Sequence, residues 1–169
     1  MIDFGKSLVD RLKCNTRVSA ISFFALCMAL FHMYTAGYRP LPGIQQRVVH
    51  LSFALALTFL IFPLRLRENS SSGNHKLLFG LNLLSVLLSF GIGAYVWWEY
   101  DSIILRLAFP TLLDSITSFV AIILVLEGTR RIMGWAVVVI CLCCFAYLGI
   151  GEHLPTVIAH TGVSFERLI

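Results

Sequence analysis

The sequence predicts an all-α membrane protein: a polytopic bundle of about five transmembrane helices with its N-terminus in the cytoplasm. Of the 169 residues, 58% are hydrophobic and 13% are charged, and the mean hydropathy of +0.85 is above that of soluble domains of this size. The hydrophobic residues fall in separate long blocks, each close to the length that a helix needs to cross a bilayer. The basic residues stand at the ends of these blocks as topology signals, and nucleic-acid binding is not indicated.

The N-terminal segment, residues 1–17, is predicted to be a helix that lies in the membrane interface, with a solvated tail as the alternative. Phe4, Leu8 and Leu12 recur every four residues, and the segment is basic. Its basic residues are Lys6, Arg11, Lys13 and Arg17. The hydrophobic run at residues 18–36 is predicted to be the first span, because it is too long for a signal-peptide core and no small-residue cleavage site follows it.

The other predicted spans are residues 48–64, 77–98, 107–126 and 134–150. The second follows a turn at Pro42 and ends near Pro63, and a Ser-rich polar loop at residues 70–74 leads into the third. The fourth is the least regular of the five, because Pro110 and Asp114 both disfavour a simple lipid-facing helix.

Lysine and arginine residues alternate between rich and poor segments. The N-terminal segment has four, the four connections that follow have two, three, one and two, and the C-terminal segment has one. Since cytoplasmic segments are enriched in these residues, the alternation places the N-terminus, the Ser-rich loop and Arg130 with Arg131 in the cytoplasm. The C-terminal segment, residues 151–169, is then predicted to be periplasmic.

Asp114 is the clearest ionisable residue inside a predicted span, where such a group costs about 2.5 to 3.5 kcal/mol on insertion scales unless it faces protein or water. On a helix, Thr111, Asp114 and Ser118 share one face with Ser115. The third span carries a matching stripe of small polar residues: Asn82, Ser85, Ser89 and Gly93. The two helices run antiparallel, so we expect Ser89 near the depth of Asp114. An interhelical hydrogen bond is favoured over a proton relay, because no second titratable group stands in line.

Two other groups of residues could form contacts at the membrane boundary. Glu127 stands three and four residues before Arg130 and Arg131, the helical spacings that allow ion pairs. His32 and His50 lie near the outer ends of the first two spans, which is the minimum geometry for a haem held between two histidines. A small haem b redox protein is therefore the alternative function, although two membrane histidines often meet that criterion by chance.

No catalytic site is predicted. The sequence has no Gly-rich phosphate loop, no Ser/His/Asp arrangement of a hydrolase and no paired carboxylates. Four of the five cysteines lie in hydrophobic segments and are expected to pack as small hydrophobic residues: Cys27, Cys141, Cys143 and Cys144. We therefore expect no enzyme activity, no cofactor and no metal site.

Three stretches resemble one protein family and occur in the order found in that family. Residues 42–63 (PGIQQRVVHLSFALALTFLIFP) are similar to the first hairpin of the fused TRAP transporter permeases of the TAXI class. Residues 126–135 (LEGTRRIMGW) resemble their Leu-Glu-Ala-Thr-Arg-Arg signature, with Gly128 where alanine is usual. Residues 154–169 (LPTVIAHTGVSFERLI) are similar to the stretch that precedes the large transport domain.

The resemblance implies the small, Q-type permease subunit or domain of a tripartite importer in a bacterial inner membrane. In this family the large M-type subunit holds the substrate and coupling-ion sites and moves like an elevator, and the small one is a fixed scaffold. Small organic acids such as dicarboxylates are the expected substrates. Sodium and proton symport both stay open, as do a separately encoded subunit and the N-terminal part of a fused permease.

The resemblance also implies a periplasmic TAXI-type substrate-binding protein that docks on the outer surface. The connections predicted to lie outside carry both charge signs, which suits a transient electrostatic contact. The residues expected to touch this partner are Tyr38, Arg39, Gln45, Glu99 and Asp101.

Overall fold

The structure, a computed structural model, describes residues 4–64, 72–106 and 109–150, with side chains described in 16–64, 76–106 and 109–149. Within these residues the chain forms helices and no strand, which confirms the predicted all-α class. The helices are α1 (Phe4–Gly37), α2 (Gly43–Ile61), α3 (Ser72–Trp98), α4 (Tyr100–Leu105), α5 (Leu112–Met133) and α6 (Trp135–Ile150).

Four described segments are long and hydrophobic enough to cross a membrane, so the protein is a multi-pass membrane protein. They are Thr16–Gly37, Gly43–Ile61, Lys76–Trp98 and Leu112–Met133. The fifth predicted span corresponds to α6, which is hydrophobic but has 16 residues. At 1.5 Å per residue α6 is about 24 Å long, compared with about 30 Å for the hydrocarbon core of a bilayer.

Two elements differ from the predicted boundaries. The first helix runs without a break from Phe4 to Gly37, across the junction expected between an interfacial segment and the first span. The fourth span was expected at residues 107–126, whereas α5 begins at Leu112 and ends at Met133. Its start is set by a capping box after Pro110, and its charged last turn stays helical because those charges pair with one another.

The chain divides into two compact units, Met1–Trp97 (unit 1) and Trp98–Ile169 (unit 2). In unit 1, an aromatic cluster joins the first three helices. The Phe90 ring of α3 lies 5.3 Å from the Phe24 ring of α1 and 5.5 Å from the Phe53 ring of α2, measured between centroids. Stacked and edge-on pairs of this kind stabilise a core beyond the area that they bury.

Small residues let α2 and α3 approach each other closely. Ser52 and Ser89 are buried, and each hydroxyl donates to a carbonyl one turn earlier in its own helix, Val48 and Ser85 respectively. A methyl group at Gly93 would collide with the Ser52 side chain, with the Ser52 Cβ only 3.1 Å away. This is the small-residue packing typical of membrane helices, and it gives the stripe on α3 a packing contact with α2.

The C-terminal end of α2 is tied to both neighbouring helices by side chains. Pro63 has no N–H, so it interrupts the helical hydrogen bonds at this point. The Arg17 guanidinium of α1 donates to the carbonyls of Leu60 (2.9 and 2.6 Å) and Ile61 (2.9 Å). From α3, the Asn82 side-chain oxygen accepts from the Leu64 N–H at 3.0 Å. Backbone groups freed in a membrane need such partners, so this junction fixes three helices at one level.

Unit 2 contains a short helix, α4, and the pair α5 and α6. The turn between the last two is a single residue, Gly134, with φ +80° and ψ −168°, and its N–H donates to the Arg130 carbonyl at 3.0 Å. Only glycine adopts this backbone conformation readily. Leu124 and Gly128 of α5 and Val138 of α6 are buried in the resulting hairpin.

Candidate functional site

Polar residues of unit 1 gather around the α1–α2 connection. His32 Nε2 and His50 Nδ1 are 2.9 Å apart and share a hydrogen bond, so one ring donates and the other accepts. An open cavity of about 480 Å³ adjoins this pair, and it is lined by His32, Gly43, Gln46, Arg47 and His50.

The histidine pair does not fit the haem alternative. Two imidazoles that bind one iron from opposite faces need nitrogen atoms about 4 Å apart, because each metal–nitrogen bond is about 2 Å long. The 2.9 Å separation of His32 and His50 leaves no space for an iron atom between the rings. The sequence predicted a similar depth for these two histidines, and in the structure they contact each other directly.

Asp114 lies at the beginning of α5 and forms a cluster with residues of unit 2. With Thr111 it makes a capping box: the Asp114 N–H donates to Thr111 Oγ1 at 3.3 Å, and Asp114 Oδ2 accepts from the Thr111 N–H at 2.8 Å. Oδ2 also accepts from Arg106 Nε at 3.1 Å, while Arg106 Nη2 lies 3.3 Å from Glu99 Oε1. One carboxylate oxygen of Asp114 therefore joins the start of α5 to the Arg106 guanidinium.

Ser89 belongs to unit 1 and Asp114 to unit 2, so the expected pairing of Asp114 with Ser89 stays a prediction. Ser89 donates to its own helix, and the stripe around it packs on α2 within unit 1. Ser118 lies one turn after Asp114 on α5 and is half-buried. Sequence analysis did not identify Arg106 as a partner of Asp114. Ion pairs within a helix are recognised by a fixed spacing, and the non-helical residues around Pro110 interrupt that spacing.

The Glu127 cluster has the geometry that its spacing predicts. Arg130 Nε lies 2.7 Å from Glu127 Oε2, and Arg131 Nε lies 2.8 Å from Oε1, so both arginines bind one carboxylate. The Arg130 guanidinium also lies 5.5 Å from the centre of the Trp135 ring, a cation–π contact across the Gly134 turn. The motif at residues 126–135 therefore holds α5 and α6 together through one charged cluster.

The residues expected to touch a binding protein differ in their exposure. In unit 1, Tyr38 and Arg39 are exposed and Gln45 is half-buried. In unit 2, Asp101 is exposed, whereas Glu99 is half-buried and paired with Arg106. Asp101 is thus free of the ion pair that occupies Glu99 and is the better candidate of the two for an intermolecular contact.

Among the residues whose side chains are described, no group of three or more His, Cys, Asp or Glu could hold a metal ion. Residues 65–71, which contain the first two residues of the Ser-rich loop, and residues 151–169 lie outside the described residues. The rest of that loop, expected to be flexible, is the beginning of α3. Comparison with protein families, with curated proteins and with solved structures finds no match to this chain.

Proposed function

We propose that this chain is the small membrane component of a tripartite importer of small organic acids, of the TAXI class of TRAP transporters, in a bacterial inner membrane. The observation that carries the proposal is the ordered resemblance of residues 42–63, 126–135 and 154–169 to one family of permeases. The multi-pass helical fold is in keeping with it.

The contacts made by the second of these stretches support a structural role for it. Glu127, Arg130 and Arg131 pair with one another, and Trp135 lies against Arg130. Side chains that are used inside one cluster are not available for binding a substrate. The motif is therefore suited to holding a fixed helical hairpin, as a scaffold requires.

The organisation of unit 1 supports the same role. Arg17, Asn82 and the Phe90 cluster tie its three long helices together near both the end and the middle of α2. Transporter substrate sites are formed by helices that are interrupted near the bilayer midplane. The described spans of unit 1 are continuous helices, which supports the part of the proposal that gives the organic-acid site to the large subunit.

Co-purification tests the proposal directly. An affinity-tagged version of this chain, extracted from membranes in mild detergent, should retain a large M-type permease. Together with a TAXI-type binding protein, the pair should import an organic acid into proteoliposomes, and either component alone should not. A chain that purifies without a permease partner, or a large permease that transports fully without it, would refute the proposal. A haem absorption band in the visible spectrum would support the redox alternative instead.

A further inference from the structure

The cavity beside His32 and His50 carries positive charge that has no acidic counterpart among the described side chains of its unit. The sequence contains no Asp or Glu between Asp10 and Glu68, and α3 contains none. None of the described side chains of unit 1 is therefore an Asp or Glu carboxylate that could pair with Arg47. A cavity of this charge favours an anion.

The donors around the cavity lie on one face of α2 and on the adjacent helix α1. Gly43, Arg47 and His50 are spaced by four and three residues, so they lie on one face. His32 completes the lining from α1. When His32 Nε2 donates to His50 Nδ1, the other nitrogen of His50 carries a proton and is a donor for a ligand.

We propose that this cavity binds a phosphate group, either the phosphate of a phospholipid headgroup or free phosphate. A phosphate presents several oxygen acceptors, which matches the guanidinium of Arg47, an imidazole N–H and the amide of Gln46. The first turn of α2 has no side-chain cap, so its N–H groups add to the positive potential. His50 lies about 10 Å along the axis from the start of α2, so the lining residues of this helix all lie within its first two to three turns.

The inference is independent of the proposed transport function and can be tested on the chain alone. The full chain is purified in a non-phosphate detergent buffer, and binding of phosphatidylglycerol is measured by native mass spectrometry. Inorganic phosphate and succinate are titrated separately against thermal unfolding. The test variants are Arg47→Gln and His50→Gln. The matched control is Lys76→Gln, because Lys76 is an exposed basic residue of the same unit and does not line the cavity.

We expect the wild-type chain to bind one phosphate-containing ligand tightly. Arg47→Gln should weaken this binding by about tenfold and His50→Gln by less, and Lys76→Gln should leave it unchanged. If the Arg47 and His50 substitutions weaken binding of phosphatidylglycerol, the ligand is a phospholipid headgroup. If they weaken binding of inorganic phosphate only, the ligand is the free ion. Each variant must elute as a monodisperse species.

Equal binding of both phosphate probes by the wild-type chain and its variants would overturn the proposal, and so would tighter binding of succinate than of either probe. Variants that keep phosphate binding but lose capture of a partner protein would assign the cavity to an acidic side chain of that partner, which also overturns it.

Discussion

At the scale of single residues, small and polar side chains of this protein make contacts that the addition or loss of one group would disrupt. The hydroxyls of Ser52 and Ser89 donate to carbonyls of their own helices. Together with Gly93, these small residues let α2 and α3 approach each other closely. Asp114 accepts from both Thr111 and Arg106 at the start of α5. Each of these positions therefore predicts a specific response to substitution.

Replacing Gly93 by alanine should lower the free energy of unfolding in detergent by about 1–3 kcal/mol, because the new methyl group collides with Ser52. Gly91→Ala is the matched control on the same helix: its methyl group meets nothing within 4 Å, and the variant should be as stable as wild type or slightly more stable. Adding Ser52→Gly should restore much of the loss. Equal unfolding temperatures for the two alanine variants would contradict this packing.

Substitutions of Asp114 distinguish a structural role of its carboxylate from a role in carrying protons. Asp114→Asn keeps a side-chain oxygen for Thr111 and should retain assembly with the large subunit and most uptake. Asp114→Leu loses both the cap and the Arg106 pair and should unfold about 1 kcal/mol more easily. Ser118→Ala, one turn away, is the control. An Asn variant that assembles fully yet fails to transport would favour the proton relay.

At the scale of helices, the ends of the elements are determined by specific contacts. The α2 end is held by Arg17 and Asn82, the α5 start by its capping box, and the α5–α6 turn by Gly134 and the Glu127 cluster. These contacts satisfy polar groups that a membrane would otherwise leave without partners. Changes at helix ends should therefore have effects as large as changes in the core.

Gly134→Ala should lower the free energy of unfolding by about 1–3 kcal/mol, because the φ of +80° with ψ of −168° is strained for any residue with a Cβ. Thermal unfolding in detergent measures the change. Gly149→Ala, within α6 and open to its surroundings, provides the control and should cause no loss. Indistinguishable unfolding of the two variants would mean that the turn relaxes easily and does not constrain α6.

At the scale of the whole molecule, the number of membrane crossings decides which termini and loops reach each side. Four described segments are long enough to cross, and α6 is the shortest of the predicted spans at 16 residues. The alternation of basic residues places the C-terminal segment outside only when α6 crosses as well. Topology and partner docking are therefore linked predictions.

A reporter fused after Ile169 should be periplasmic, and one fused after Gly134 should be cytoplasmic, because basic connections alternate in one register. Accessibility of an engineered single cysteine to a membrane-impermeant reagent is an independent measurement. If both fusions are cytoplasmic, α6 does not cross. The sequence singled out residues 107–126 as the weakest span, but the 22-residue α5 is long enough to cross a membrane. The 16-residue α6 is now the span whose crossing most needs a test.

Charge reversal at the outer connections should reduce uptake in a salt-dependent manner if a binding protein docks there. Arg39→Glu and Asp101→Arg should each slow uptake several-fold at low ionic strength, with a smaller effect at high salt, since exposed charges act mainly on the association rate. Lys76→Gln, exposed at the other end of α3, is the control. Uptake that is unchanged in all these variants would remove these residues from the docking surface.

The sequence by itself determined the helical class, the approximate spans and the local charge pairs. A long hydrophobic segment in lipid must satisfy its own backbone hydrogen bonds, which a helix does. Ion pairs within a helix follow from a fixed spacing, as with Glu127 and Arg131. The stripe of small polar residues on α3 was recognisable from its helical period, but its packing against α2 was not.

Only the tertiary structure decided which residues meet across connections. Arg17 with Leu60, Asn82 with Leu64, His32 with His50 and Arg106 with Asp114 are contacts between elements whose separation in the sequence carries no geometric rule. The physical reason is that non-helical turns, such as the one around Pro110, break the period that relates sequence position to direction in space. Helix packing then selects the partners.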